Sequence, residues 1–171
     1  FRKQRPRVRI EVQVGRVKDI VEGLNNGRLD IILAAQRPER RQGVPLWAEK
    51  LRWVGNSDLL DNRDGPLELV LRPAPSLIRS IAIDALTQAG RRFEIMFESD
   101  SILGIRAAVV NGLGIGVMRI ADLEPATLEE DDLGNLALPD LGRVEFYVRF
   151  NDDGTHLPRA FATLVEQVAR P

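Results

Sequence analysis

The sequence predicts an α/β protein with mostly parallel sheets, organised as two similar lobes. Strand-like and helix-like hydrophobic periods alternate from one end of the 171 residues to the other, the pattern of strands covered by helices. The first such unit reads strand, helix, strand, which implies a parallel pairing with a right-handed crossover. Two segments also lie in register 85 positions apart: Val17, Ile20, Leu24, Asn26 and Gly27 correspond to Ile102, Ile105, Val109, Asn111 and Gly112.

Taken in order, Val8, Ile10, Val12 and Val14 alternate with Arg9, Glu11 and Gln13, so residues 7–14 are expected to form a half-buried strand. The basic start (Arg2, Lys3, Arg5, Arg7, Arg9) reads as the last turn of a helix, where cations suit the negative end of the dipole and Pro6 stops the turn. A phosphate-binding arm is the other reading of those charges. Val17, Ile20, Val21 and Leu24 recur at helical spacing, and Asn25-Asn26-Gly27 ends that helix in a left-handed cap. Residues 29–35 are almost continuously apolar, as in a strand covered on both faces.

A loop from Gln36 to Pro45 follows, then a strand over 51–55, and a turn-forming stretch from Asp58 to Pro66 suits a boundary. Leu67 to Leu71 is expected to be a strand. The stripe Leu77, Ile78, Ile81, Ala82, Ala85, Leu86 and Ala89 is expected to be a helix closed by Gly90. Residues 93–97 and 115–118 read as strands on either side of a helix that ends at Asn111-Gly112. Glu124 to Asp132 reads as a solvated acidic loop, 144–150 as a strand, and the chain from about Pro158 as a helix burying Phe161, Leu164, Val165 and Val168.

Bulk properties narrow the function. A chain that is 44% hydrophobic can bury a core, and no apolar run approaches the ~20 residues needed to cross a bilayer. The chain is therefore expected to be soluble. Its start lacks the apolar stretch of a secretory signal. A net charge of -1 argues against a body that binds nucleic acid by charge alone. Cysteine is absent, which removes thiol chemistry and fits a cytoplasmic protein.

The 85-position repeat has two readings. Any short amphipathic helix with an Asn-Gly cap would line up this way. The sharper reading is two α/β lobes whose strand tips face one cleft, since ligands of open α/β sheets bind at the carboxyl ends of strands near helix N-termini. Gly15 and Arg16 in one lobe, and Ser99, Asp100 and Ser101 in the other, would then flank the cleft. Arg16 opposes the dipole of its own helix, so helix energetics do not explain it, whereas an anionic guest would.

The same residues carry a family resemblance. Pro6, Val8, Ile10, Glu11 and Gly15, followed by Leu24 and Gly27-Arg28-Leu29-Asp30, are arranged as in the first lobe of the effector-binding domain of LysR-type bacterial transcription regulators. Leu46-Trp47, Glu49, Leu51 and Trp53-Val54 resemble that family's passage between lobes. Gly65-Pro66-Leu67, Ala85-Leu86, Ala89-Gly90-Arg91, Ser101-Ile102, Gly104-Ile105, Gly112-Leu113-Gly114-Ile115 and Leu138-Pro139 resemble its second lobe. The order holds across the whole length.

The resemblance implies a type 2 periplasmic-binding-protein-like fold of two Rossmann-like lobes joined by two crossover strands. The lobes would be residues 1–55 with 144–171, and 59–141. It implies a small polar or anionic metabolite bound between them to modulate DNA binding and transcription, and a homo-oligomer (dimer or tetramer) in which the first helix pairs with the 76–89 helix of a neighbour. The loop from Arg72 to Ser76, with Pro75 and Ser76, would join Gly15, Arg16, Ser99, Asp100 and Ser101 as effector contacts. The first strand of the first lobe and the N-terminal winged helix-turn-helix are expected to lie outside these residues, so DNA is met only through that other part.

Rival chemistries fare poorly. His156, the single histidine, stands beside Asp152, Asp153 and Thr155 with no nucleophile elbow, and a surface or capping role is expected for it. No ligand-spaced cluster suggests a metal, and no cofactor is expected. Gly112 to Gly116 enters a strand rather than a helix, the wrong order for a phosphate cradle. A transport solute-binding protein of the same two-lobed form remains the alternative, and a two-lobed enzyme such as a dehydratase a third reading.

Overall fold

The computed structural model describes residues 1, 3, 5–56, 65–122, 133–151 and 157–168. Contacts divide the chain into two compact units: Phe1–Ala48 with Val144–Pro171, and Glu49–Arg143. The chain passes from one unit to the other inside two long strands, β2 (Val44–Val54) and β6 (Arg143–Phe150).

In the first unit, helix α1 (Val17–Asn25) leads to strand β1 (Ile31–Gln36), which runs antiparallel to β6 with Ile31 opposite Phe150 and Gln36 opposite Glu145. Leu24, Ile32, Ala34 and Tyr147 form its buried cluster, with Ile20, Val21 and Leu29 packed against it. Two expectations fail here. Residues 7–14 join no ladder among the described residues, and Val12 and Val14 are 80% and 99% exposed. Alternation makes a strand only where a neighbouring backbone supplies hydrogen bonds. The parallel partner expected for β1 is accordingly replaced by antiparallel β6, more than a hundred residues later in the chain.

The described part of the basic start closes one turn, through the i to i−4 hydrogen bond that a helical turn makes. The Arg5 N–H donates to the Phe1 carbonyl (2.9 Å) and the Val8 N–H to the Arg5 carbonyl (3.1 Å). Phe1 meets Phe161 of helix α4 (Leu157–Val168) edge to face at 5.3 Å. Phe161, Leu164 and Val165 are half-buried, and Ala162 is buried. The loop after β1 is held by polar side chains. Buried Gln36 donates to Glu145 (2.7 Å) and accepts the Gln42 N–H (2.9 Å), while the Tyr147 hydroxyl lies 3.1 Å from Gln42 Oε1. Burial pushes the Tyr147 phenol above its usual pKa, partly opposed by nearby Arg149.

The second unit has a mixed sheet in the order β2, β5 (Ile115–Arg119), β3 (Leu67–Leu71), β4 (Phe93–Glu98). β3 runs parallel to both β5 and β4, whereas β2 is antiparallel to β5. Helix α2 (Leu77–Gln88) connects β3 to β4, and helix α3 (Ile102–Val110) connects β4 to β5. These are the two parallel crossovers that the alternating pattern predicts. Ile105, Ala108 and Val109 of α3 pack with Val54, Val70 and Met118, and Phe97 lies against them. The Gly112–Gly116 stretch is a helix-to-strand turn. Gly114 has φ +146°, and a Cβ there would lie 2.5 Å from the Glu68 carbonyl oxygen, so only glycine fits. The expected Asp58–Pro66 boundary falls largely outside the described residues, and the acidic loop to Asp132 wholly so.

Candidate functional site

Parallel strands whose crossovers begin at their carboxyl ends collect helix starts on one edge of the sheet. In the second unit β3 delivers the chain to Ser76, the N-cap of α2, and β4 delivers it to Ser101, the N-cap of α3. Each serine does the same local work. Ser76 Oγ accepts the Arg79 N–H and Ser101 Oγ accepts the Gly104 N–H, both at 3.4 Å. Ser99 Oγ accepts the Ser101 N–H (3.1 Å). A helix has no internal partners for its first four N–H groups. Each cap satisfies one of them, and in α3 the Ser99 hydroxyl takes a second, the Ser101 N–H.

Backbone and side-chain hydrogen bonds link the chain segments that lead into the two helices. The Ser99 N–H donates to the Leu71 carbonyl (3.3 Å), linking the tip of β4 to that of β3. Arg72 Nη2 donates to the Asp100 carbonyl (2.9 Å). Arg79 Nη1 donates to the Arg72 carbonyl (2.9 Å) and pairs with the Glu98 carboxylate. Pro75, exposed and preceded by a cis peptide bond, leads into half-buried Ser76. The structure thus gathers Pro75, Ser76, Ser99, Asp100 and Ser101 at one edge of the second unit.

Gly15 and Arg16 belong to the first unit. Arg16 is exposed and is the N-cap of α1, in extended conformation with no side-chain cap hydrogen bond. Its helix closes as α3 does. Gly27 and Gly112 both have φ 74°, and the Arg28 and Leu113 N–H groups reach back to the Gly23 and Ala108 carbonyls at 2.9 and 3.0 Å.

Sequence reasoning missed the Arg79–Glu98 pair. Its one signal was an arginine in the first turn of α2, where a cation opposes the helix dipole unless a carboxylate stands by. His156 lies outside the described residues, and among those described no group of three or more acidic or histidine side chains could hold a metal ion. Nor, among them, is any helix long and apolar enough to cross a membrane.

Helix starts at the carboxyl ends of parallel strands are where open α/β sheets bind ligands. The chain belongs to the LysR substrate binding domain family, which matches residues 1–170. It is 27% identical over 168 residues to the HTH-type transcriptional regulator PecT of Dickeya dadantii (strain 3937), covering 96% of this chain and 52% of PecT. It is 28% identical over 169 residues to the HTH-type transcriptional regulator DgdR of Burkholderia cepacia, covering 98% of this chain and 57% of DgdR. The chain therefore spans about half the length of these relatives. Its fold resembles the Synechocystis PCC6803 CcmR regulatory domain in complex with 2-PG, with TM-score 0.70, 15% identity, and coverage of 99% of this chain and 87% of that one. These relatives are named as transcription regulators, and the family match favours the effector-binding domain of a LysR-type regulator over the transport-protein alternative.

Proposed function

We propose that this domain reversibly binds a small polar or anionic metabolite and thereby modulates DNA binding by a larger cytoplasmic regulator, without catalysing a reaction. The observation that carries the reading is the pair of serine-capped helix starts at the tips of β3 and β4, braced against each other in one unit. Ser76, Ser99 and Ser101, with Pro75 and Asp100, are the second unit's contribution. Gly15 and Arg16, at the start of α1, are the effector contacts proposed within the first unit, with Arg16 supplying charge. The lobes of this reading are residues 1–55 with 144–171, and 59–141. The working form is a homo-oligomer, and DNA is met through a helix-turn-helix like those for which the relatives are named.

A ligand acts as a switch only to the degree that it binds one conformation more tightly than another. The first experiment is a thermal-shift screen of metabolites, beginning with 2-PG because the CcmR regulatory domain is in complex with it. A guest that binds the native state raises the melting temperature by mass action. Calorimetry on Arg16→Ala should then show a loss of about 1.5–3 kcal/mol for an acidic effector, as for a hydrogen bond to a charged group. Unaltered binding by that variant would remove Arg16 from the site. Turnover of a bound metabolite would overturn the sensor reading itself.

A further inference from the structure

We infer that residues 7–13 form a self-complementary strand through which two copies of this chain pair antiparallel about Ile10. This contact is distinct from the helical one that the family resemblance implies. It rests on the homo-oligomer proposed above, for which it names a surface, and it requires no ligand.

Residues 7–14 alternate as a strand does, yet among the described residues their backbone enters no ladder. Exposure rises along the apolar row: Ile10, Val12 and Val14 are 43%, 80% and 99% exposed. Arg9, Glu11 and Gln13, between them, are exposed as well. Unladdered backbone with an apolar row on one face is a template for another strand.

The order of the charges says which strand fits. Residues directly opposed in an antiparallel pair project from the same face. A register that keeps apolar against apolar therefore joins even-numbered residues to even-numbered ones, and odd to odd. Centred on Ile10, a two-fold pairing sets Ile10 against Ile10, Val8 against Val12, and Arg9 against Glu11 on both sides of the axis. Arg7 then faces Gln13. Moving the centre to Glu11 opposes two carboxylates, and moving it to Arg9 opposes two guanidinium groups; both cost stability. Within one copy, Glu11 Oε1 accepts only from Gln13, at 3.5 Å, too long to hold that carboxylate against an arginine. A second copy supplies the matching strand by symmetry alone, as an isologous contact does.

The chain contains no cysteine, so an introduced thiol reports its neighbour cleanly. Opposed residues of an antiparallel pair lie within disulfide reach. Under mild oxidation Ile10→Cys is expected to form a covalent dimer readily. Val14→Cys, which this register sets against Pro6, should do so far less. Val8→Cys and Val12→Cys should cross-link when mixed and not when kept apart. Sedimentation at low ionic strength, where charge is least screened, gives the second reading. Arg9→Glu should weaken self-association by about tenfold or more, and adding Glu11→Arg should restore it, because the pairs return with their signs exchanged. Both positions are exposed, so circular dichroism should show every variant folded as the parent is. Unchanged association of Arg9→Glu, failure of the double variant to recover, or equal cross-linking at residues 10 and 14 overturns the strand contact while leaving the oligomer intact. Ile10→Cys that prefers Leu33→Cys on β1 to itself makes β1 the occupant and overturns the two-fold register. A chain that stays monomeric at every concentration overturns both the contact and the oligomer.

Discussion

Helices α1 and α3 share a sequence pattern 85 positions apart, and the structure shows where the likeness stops. Each is nine residues long and ends with asparagine and a left-handed glycine. Val17 and Ile102, the first residues, are both 40% exposed, whereas Leu24 and Val109 near the other end are 1% and 0% exposed. The beginnings and middles differ. Ser101 caps α3 with its hydroxyl and follows a strand in a ladder. Arg16 opens α1 without a side-chain cap and follows the unladdered 8–16 segment. Ile105 is buried, while Ile20 is only partly so. A helix end is closed by its own backbone, and so repeats with the sequence. What stands before and beneath a helix is decided by distant strands.

Core truncation should break the comparison most strongly. Ile105→Ala removes side-chain atoms from a buried cluster and should cost about 2–5 kcal/mol, with Ile20→Ala clearly less. Denaturant titration of both variants checks this, and equal losses would show that α1 is packed as deeply as α3.

Next come the caps. Gly27→Ala and Gly112→Ala each force a side chain into the left-handed region, at about 1–2 kcal/mol apiece. Their agreement within a few tenths would confirm that the two ends are energetically one motif.

The starts should diverge. Ser101→Ala is expected to cost about 1 kcal/mol, whereas Arg16→Ser, which installs a missing cap, should be neutral or stabilising by a similar amount. If Arg16→Ser lowers the melting temperature of the ligand-free chain, Arg16 supports α1 structurally and the comparison of starts fails.

The smallest effect is one of pH. The cluster under α1 contains Tyr147, and the cluster under α3 is composed of Val54, Val70, Ile105, Ala108, Val109 and Met118, none of which titrates. Because burial raises the folded pKa of Tyr147 above the unfolded value of 10.0, the folded state holds that proton more tightly. The resulting stability is complete below the unfolded pKa and is lost as pH rises through the folded one. Unfolding at pH 8 and above 10 should show a decline that Tyr147→Phe flattens.

Much of this was legible in the sequence for a local reason. The ends of α1, α2 and α3 follow from Asn-Gly or glycine caps within a few residues of each helix, whereas the N-cap role of Ser76 and Ser101 came from the structure. The strand expected over 7–14 had its pattern but no partner, and β2 began well before the expected residue 51 because Pro45 disguises its first half. Pairing of β1 with β6, and of Arg79 with Glu98, depends on which strands become neighbours. No local pattern states that.

The two tryptophans fall one in each unit: Trp47 stacked on Phe146 with ring centroids 4.7 Å apart, and Trp53 donating its indole N–H to the Pro139 carbonyl at 2.7 Å. Each half of the molecule therefore contains its own fluorophore in a distinct quenching environment. With Trp47→Phe or Trp53→Phe, emission from the remaining indole can time the melting of one half while the other goes unseen, separating their cooperativity without an added dye.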